Sequence, residues 1–374
     1  MWWRSLGLAA GTACALGLAR FAYGLFVPAM SADLHWTLAQ AGTLTTANGA
    51  GYLFGALLAT VLAGRAGLTT VFRAGMVLTV ASLAATAAGP AYPALVAART
   101  LGGLGGAWTF VAGAALAGRL GGTLPMTVYF GGAGAGVAAA GGVLPALLDG
   151  HPERWALGWW LLTLGGVAAL IASWPAAAVP AAVDGRDPGA DRPGPPLWRL
   201  GIAYLLFGAG YLGYVTFLSA YLAAHRAGVA VTSAAWVTIG LAAVAAPVPW
   251  HRPIAAWPGV RALRCLLVAV AVAAALPLLG SSPPAVVASA LLFGGTFMMV
   301  PAAVTALVSR ARPADPARAL AALTAVFAAG QSLGPWLAGA LADRTGPAAI
   351  PACAAVLCAA AAAAATVRRP AAAA

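Results

Sequence analysis

The sequence predicts an all-α membrane protein: twelve transmembrane helices in two six-helix, pseudo-symmetric halves, with both termini in the cytoplasm. Three observations carry this reading. The 374-residue chain is 62% hydrophobic and only 7% charged. A soluble domain is about one-quarter charged, so most of this surface must face lipid. Apolar runs of about 20 residues, the length that crosses the hydrocarbon core, recur along the chain. Arginines crowd every second connection between the runs.

The runs fall at roughly 5–29, 41–63, 71–89, 93–117, 126–148, 155–175, 199–223, 231–250, 262–280, 284–308, 319–341 and 348–367. The eighth and ninth are the hardest to separate, because Pro247, Pro249, Pro253 and Pro258 crowd the segment between them. Arg4 followed by apolar residues imitates a secretory signal. The run continues to about residue 29, roughly twice the length of a signal core, and reads as a retained first span. With the N-terminus inside, the positive-inside rule can be checked on the arginines alone, since the chain has no lysine. Fifteen lie on the cytoplasmic side, and only Arg154, Arg226 and Arg344 lie outside. Adding or removing one span scrambles that alternation. Arg20 and Arg99 are left within spans.

Residues 176–198, AAAVPAAVDGRDPGADRPGPPLW, form the longest polar stretch. Its Pro, Gly, Asp and Arg content predicts an extended cytoplasmic linker between an N-terminal half, 1–175, and a C-terminal half, 199–374. The halves share patterns in order. Gly17, Tyr23 and Phe26 of the first span match Gly208, Tyr214 and Phe217 of the seventh at the same spacing, with Arg20 opposite Tyr211. The fourth and tenth spans carry Gly105-Gly106 and Gly294-Gly295 ahead of an aromatic; the fifth and eleventh carry glycines before Pro145 and Pro335. Such repeats place a substrate site near the bilayer midplane, between halves that rock against each other.

Other classes are excluded. A net charge of +12 suits nucleic acid, but the arginines form no basic face. Cys14, Cys265, Cys353 and Cys358 lie in apolar runs without a CxxC pair, and His35, His151, His225 and His251 fall between runs. No metalloprotease, P-loop or nucleophile-elbow motif is present. No enzyme, cofactor or metal site is expected. The expected partners are a small-molecule substrate and the lipid bilayer, with the chain acting as a monomer.

At this point the chain resembles a known family. Two six-span halves joined by a cytoplasmic linker are the plan of the major facilitator superfamily. The closer resemblance is to its YbfB/YjiJ-type transporters, on GLARFAYGLFVPAM (17–30), QAGTLTTANGAGYLFGALLA (40–59), YLLFGAGYLGYVTFLSAYL (204–222), GGTFMMVPA (294–302) and LTAVFAAGQSLGPWLAGALAD (323–343). The resemblance implies a secondary transporter, multi-pass in a bacterial cytoplasmic membrane, and supplies no substrate. The connection between spans two and three departs from the superfamily pattern: GRAGLTTVFRAG, 64–75, holds Arg65 and Arg73 but no acidic partner for a gate. Arg99-Thr-Leu-Gly-Gly103 matches the fourth-span motif, and GGAGAGVAAAGGVLP, 131–145, matches the fifth-span motif loosely.

The polar residues inside spans nominate the substrate site. An arginine at mid-helix costs about 2.5–3.5 kcal/mol on insertion scales, so it faces an interior or a wet cavity. Arg20 lies roughly 22 Å from the inner end of its span at about 1.5 Å per residue, too deep to snorkel. Arg99, nearer the outer end, can snorkel part way. At helical spacing Tyr23 shares the face of Arg20, Asn48 and Tyr52 share one face of span two, and Tyr204, Phe207, Tyr211 and Tyr214 make one aromatic stripe in span seven, either packing or pocket. Gln331 lies mid-membrane. The substrate-binding candidates are therefore Arg20, Tyr23, Asn48, Tyr52, Arg99, Tyr211, Tyr214 and Gln331. No carboxylate lies deep in any span: Asp33, Asp149, Glu153 and Asp343 are at outer ends, and Asp184, Asp187, Asp191 and Asp315 are inside. Arginine stays protonated in proteins, so it cannot relay protons. These residues favour transport of a small organic anion or weak acid. An exporter of neutral or hydrophobic compounds is the second reading, and a non-transporting membrane sensor the third.

Overall fold

The computed structural model describes residues 2–121, 124–180, 197–280, 282–311 and 316–366. Among them the regular elements are all helical. In chain order they are α1 (Trp2–Asp33), α2 (Leu38–Ala66), α3 (Leu68–Ala87), α4 (Tyr92–Arg119), α5 (Leu124–Leu148), α6 (Pro152–Ala176), α7 (Leu197–Ala224), α8 (Val229–Ala245, bent by 46° into Pro247–Ala256), α9 (Arg261–Leu279), α10 (Pro283–Ala311), α11 (Pro316–Thr345) and α12 (Ala349–Ala364). Ten of these are long and apolar enough to cross a membrane, or eleven with the bent pair. α12 has 16 residues, about 24 Å at 1.5 Å per residue, and is shorter than the expected run. Most of the expected linker, with Asp184, Asp187, Asp191 and the arginines beside them, lies outside the described residues, as does Asp315.

Local chemistry sets the boundaries. Thr37 and Gln40 form a reciprocal capping box at the start of α2. Paired prolines open α10, where missing N–H groups cost nothing. Ala246 is followed by Pro247 and Pro249, which bend α8. Gly67 closes α2 at φ 84°, a backbone region that favours glycine. The α1–α2 and α7–α8 turns each carry a non-glycine residue at φ 54°, His35 and Arg226.

The helix pairings repeat. Within the first six helices, α1 packs on α5 and α6, α2 on α4, and α3 on α4 and α6; α7–α12 show the same pairings six positions on. Between the two sets, the contacts are α2 with α11, α5 with α8, and the second half of α1 with α7. Small residues make these close: a Cβ on Gly134 of α5 would stand 2.5 Å from the Gly240 carbonyl of α8, and one on Gly42 of α2 would stand 2.6 Å from the Pro335 carbonyl of α11.

At the end that bears the α1–α2 turn, the Asp343 carboxylate of α11 accepts from the Leu38 and Ala39 amides at 2.9 Å each. It thereby satisfies orphan donors at the α2 N-terminus and completes its dipole with a negative charge. At the opposite end, arginines cap the last carbonyls of helices. Arg73 bonds the Trp174 carbonyl through Nε (3.2 Å) and Nη2 (2.8 Å), and its guanidinium lies 4.8 Å over the Trp174 ring. Arg199 donates to the Thr366 carbonyl at 2.9 Å, and Arg310 to those of Ile254, Ala255 and Trp257. Arg73 of the loop motif is thus tied to the end of α6.

The Gly134–Gly240 approach gives a direct check. Gly134→Val overpacks α5 against α8 and lowers stability by about 1–3 kcal/mol, read as a reduced unfolding midpoint of detergent-purified protein. Gly64→Ala, where a Cβ meets nothing within 4 Å, leaves the midpoint unchanged.

Candidate functional site

Arg20 is carried by an irregular part of α1. Residues Ala13–Phe21 wind as a π-helix, closed by the bond from the Ala22 amide to the Gly17 carbonyl at 3.0 Å. Wide turns of this kind recur at functional sites. A Cβ on Gly17 would lie 2.6 Å from the Cα of Gly136, so glycine lets this widened segment sit against α5.

Arg20 is only 5% exposed. Its Nη2 donates to Oε1 of Gln331 on α11 at 3.0 Å, and its guanidinium lies 4.5 Å over the Tyr52 ring of α2. Gln331 Nε2 in turn donates to the Tyr211 hydroxyl of α7. Arg20, Tyr52, Tyr211 and Gln331 therefore form one buried cluster that joins α1, α2, α7 and α11. Nη1 of Arg20 is buried and has no hydrogen-bond partner among the described residues.

Arg99 belongs to a different cluster and does not snorkel: it is 1% exposed. Nη1 donates to the Ala19 carbonyl at 2.5 Å, and the guanidinium lies 4.9 Å over Tyr23 and 5.3 Å over Trp159. Asn48 Nδ2 donates to the Arg99 carbonyl at 3.1 Å. Tyr23 donates to the Ala41 carbonyl at 2.8 Å. Tyr23 thus serves Arg99, whereas α-helical spacing placed it on the face of Arg20. The π winding through Phe21 changes the rotation per residue that such spacing assumes. These rings offer Arg99 π faces, and a backbone carbonyl takes one donor. Its Nε and Nη2, the Asn48 Oδ1 and the Trp159 indole N–H have no hydrogen-bond partner among the described residues.

The α7 stripe divides. Tyr211 stacks near Phe207 (4.8 Å, 15°), Phe327 of α11 (5.9 Å, 10°) and Phe297 of α10 (5.9 Å, 26°), and Tyr204 stacks on Phe327 at 4.2 Å. Tyr214 turns away from this group, with its hydroxyl 2.6 Å from Ser289 Oγ and its ring 4.7 Å from Phe293. Phe297 and Phe327 escaped the sequence reading. A phenylalanine in an apolar run reads the same whether it faces lipid or an aromatic cluster, and only GGTFMMVPA and LTAVFAAGQ, as quoted blocks, drew attention to their positions.

The fold and this geometry accord with the sequence comparisons. The chain belongs to the family described as uncharacterised MFS-type transporter YbfB, whose model matches residues 12–367. It is a multi-pass membrane protein of a transporter family. No curated protein sequence matches it. Among solved structures, it is similar to the nucleoside transporter NupG, with TM-score 0.69, 14% identity and 97% of each chain covered. It is also similar to the human organic anion transporter MFSD10 (TETRAN), with TM-score 0.62, 16% identity and 98% of each chain covered. At these identities the likeness concerns the fold.

Gln331→Leu removes the acceptor from Arg20 Nη2 and the donor to Tyr211 together. A hydrogen bond to a charged group contributes about 1.5–3 kcal/mol. The variant should lose that much stability in thermal unfolding, while Gln331→Glu, which keeps an acceptor on Arg20, should lose less.

Proposed function

We propose that this chain is a secondary transporter that moves a small organic anion or weak acid by alternating access, with Arg20 as the residue that binds the anionic group. One observation carries the reading: Arg20 is held at the junction of α1, α2, α7 and α11 with one guanidinium nitrogen buried and unpartnered. A buried charge without a partner is costly, and an anionic substrate completes it with a charge-assisted hydrogen bond. Tyr52, Tyr211 and Gln331 surround it, while Arg99, Tyr23 and Asn48 form a supporting cluster behind α1 and Tyr214 packs within α7–α10.

In this reading the protein lies in a bacterial cytoplasmic membrane as twelve spans with both termini inside. Residues 1–175 and 199–374 are its two halves, and the recurrence of helix pairings at an interval of six supports that division. The end bearing Asp343 then faces outward, and the close α2–α11 contact describes a molecule shut on that side. Transport of neutral, flat or apolar compounds is the second reading. The stacked rings of Tyr204, Phe207, Tyr211 and Phe327 favour it.

A ligand screen on purified protein tests the first reading. Small carboxylates should raise the unfolding temperature, and Arg20→Gln should weaken their binding at least about tenfold, the equivalent of one lost charge-assisted bond. Stabilisation by neutral compounds that survives Arg20→Gln would sink it and favour the second.

The outer closure has its own test. Thr216 and Thr45 meet across α7 and α2, with their hydroxyl oxygens 3.4 Å apart and both residues buried. In a chain whose native cysteines are replaced by alanine, Asp343→Asn should raise the labelling rate of Thr216→Cys about two- to fivefold, the effect of one lost charge–dipole contact. An unchanged rate counts against Asp343 as the latch.

A further inference from the structure

The hydrogen-bond directions around Arg20 define the chemistry of the missing partner. A guanidinium has only donors, so Gln331 must offer Arg20 its carbonyl oxygen, as it does at 3.0 Å. Its amide nitrogen therefore faces Tyr211, whose hydroxyl accepts. A phenol that accepts still carries its own O–H hydrogen, and among the described residues nothing receives it. Nη1 of Arg20 is in the same condition. One glutamine thus holds two donors without acceptors, on helices α1 and α7.

A group that meets both donors must supply two acceptor lone pairs, and beside a permanent guanidinium charge an ionised acceptor also brings the counter-charge. A carboxylate has two such oxygens on one planar carbon, whereas an alcohol or amide oxygen would accept but leave the charge uncompensated, and an ammonium would set donor against donor. The surroundings define what the carboxylate is attached to. Tyr211 is one ring of a near-parallel column with Phe207, Phe327 and Phe297. Two rings at the cluster are partly exposed, Tyr52 against Arg20 and Phe327 near Tyr211, while Phe207, Phe297 and Tyr211 are buried. A carboxylate held at Tyr211 brings its substituent alongside these ring faces.

We infer that the substrate of the Arg20 site is an aromatic carboxylate, bound through Arg20 Nη1 and the Tyr211 hydroxyl with its ring stacked against Phe327. This rests on the anion reading above and narrows it. Tyr211 becomes a second carboxylate donor, and Phe327 sets specificity for a flat body. An offset ring pair gains about 0.5–1.5 kcal/mol beyond area burial, a two- to tenfold preference.

Three probes of one size separate the possibilities when added to the purified full-length chain: benzoate, cyclohexanecarboxylate and benzamide, with acetate as a small control. Binding is read by thermal shift and titration calorimetry. Benzoate should bind about two- to tenfold more tightly than cyclohexanecarboxylate, and benzamide should not bind. Phe327→Leu should remove the preference, bringing benzoate and cyclohexanecarboxylate to the same affinity. Tyr211→Phe, which keeps the ring, should weaken both carboxylates to a similar degree. Equal affinity of the two carboxylates, or binding of acetate alone, overturns the aromatic inference and leaves the anion reading standing. Benzamide binding as tightly as benzoate, or benzoate binding that survives Arg20→Gln, overturns the anion reading itself. If no probe binds, both fall.

Discussion

A guanidinium cannot discharge itself by losing a proton inside a protein, and the interior of a membrane protein offers it little water. The arrangement around α1 follows from that constraint. Two arginines are buried in the first six helices, and neither is paired with a carboxylate among the described residues. Each is met by the weaker acceptors within reach: a carbonyl or amide oxygen at one nitrogen and aromatic faces over the guanidinium plane. Such a set compensates a charge only in part. The Arg99 contacts described above, Ala19 and Tyr23 of α1, Asn48 of α2 and Trp159 of α6, all lie in the first six helices. Arg20 is met by residues of α2 and α11, so its compensation depends on how the first six helices sit against the rest.

The two carriers of charge therefore have different positions in any motion. Helices α2 and α11 touch along the edge where Gly42 meets Pro335 and Asp343 meets the α2 N-terminus. The same two helices supply Tyr52 and Gln331 to Arg20. A rearrangement that parts α2 from α11 must also alter the contacts of the guanidinium. In the proposed reading, an anion at Arg20 and a closure near Asp343 would act on one helix pair, which is how a ligand with different affinity for two states shifts their populations. Arg99 has no contact of this kind and would travel with its own helices.

Much of this was legible in the sequence, and what was missed has physical reasons. Span positions follow from bilayer thickness, and the arginine alternation ordered them. Only α12 came out shorter than its apolar run, and α8 gained a bend at prolines that the sequence had already marked as difficult. Polar side chains in apolar runs stand out, which is why Arg20, Tyr52, Tyr211 and Gln331 were nominated before they were seen together. Phe297 and Phe327 could not be, because their apolar surroundings carry no contrast. Arg99 was placed too near water, since depth along a helix says nothing about which neighbours cover it. Tyr23 was assigned to the wrong arginine because helical-face arithmetic assumes 3.6 residues per turn, and nine residues of α1 do not keep to it.

That π-helical stretch uncouples two quantities that a regular helix locks together. In an α-helix, the number of residues between two points fixes both the distance spanned and the rotation between their side chains. A wide turn adds backbone without adding proportionate length, so the two ends of α1 can keep their packing partners while the middle takes another angular phase. Here the spare backbone lies in the segment that carries Arg20, pressed through Gly17 against Gly136. Removing one residue between Ala13 and Phe21 would close the wide turn into regular α-helix, with the flanking segments keeping their faces and the middle losing its separate phase. The orientation of the guanidinium is thus a property of the irregularity, and a straight helix with the same residues would point it elsewhere.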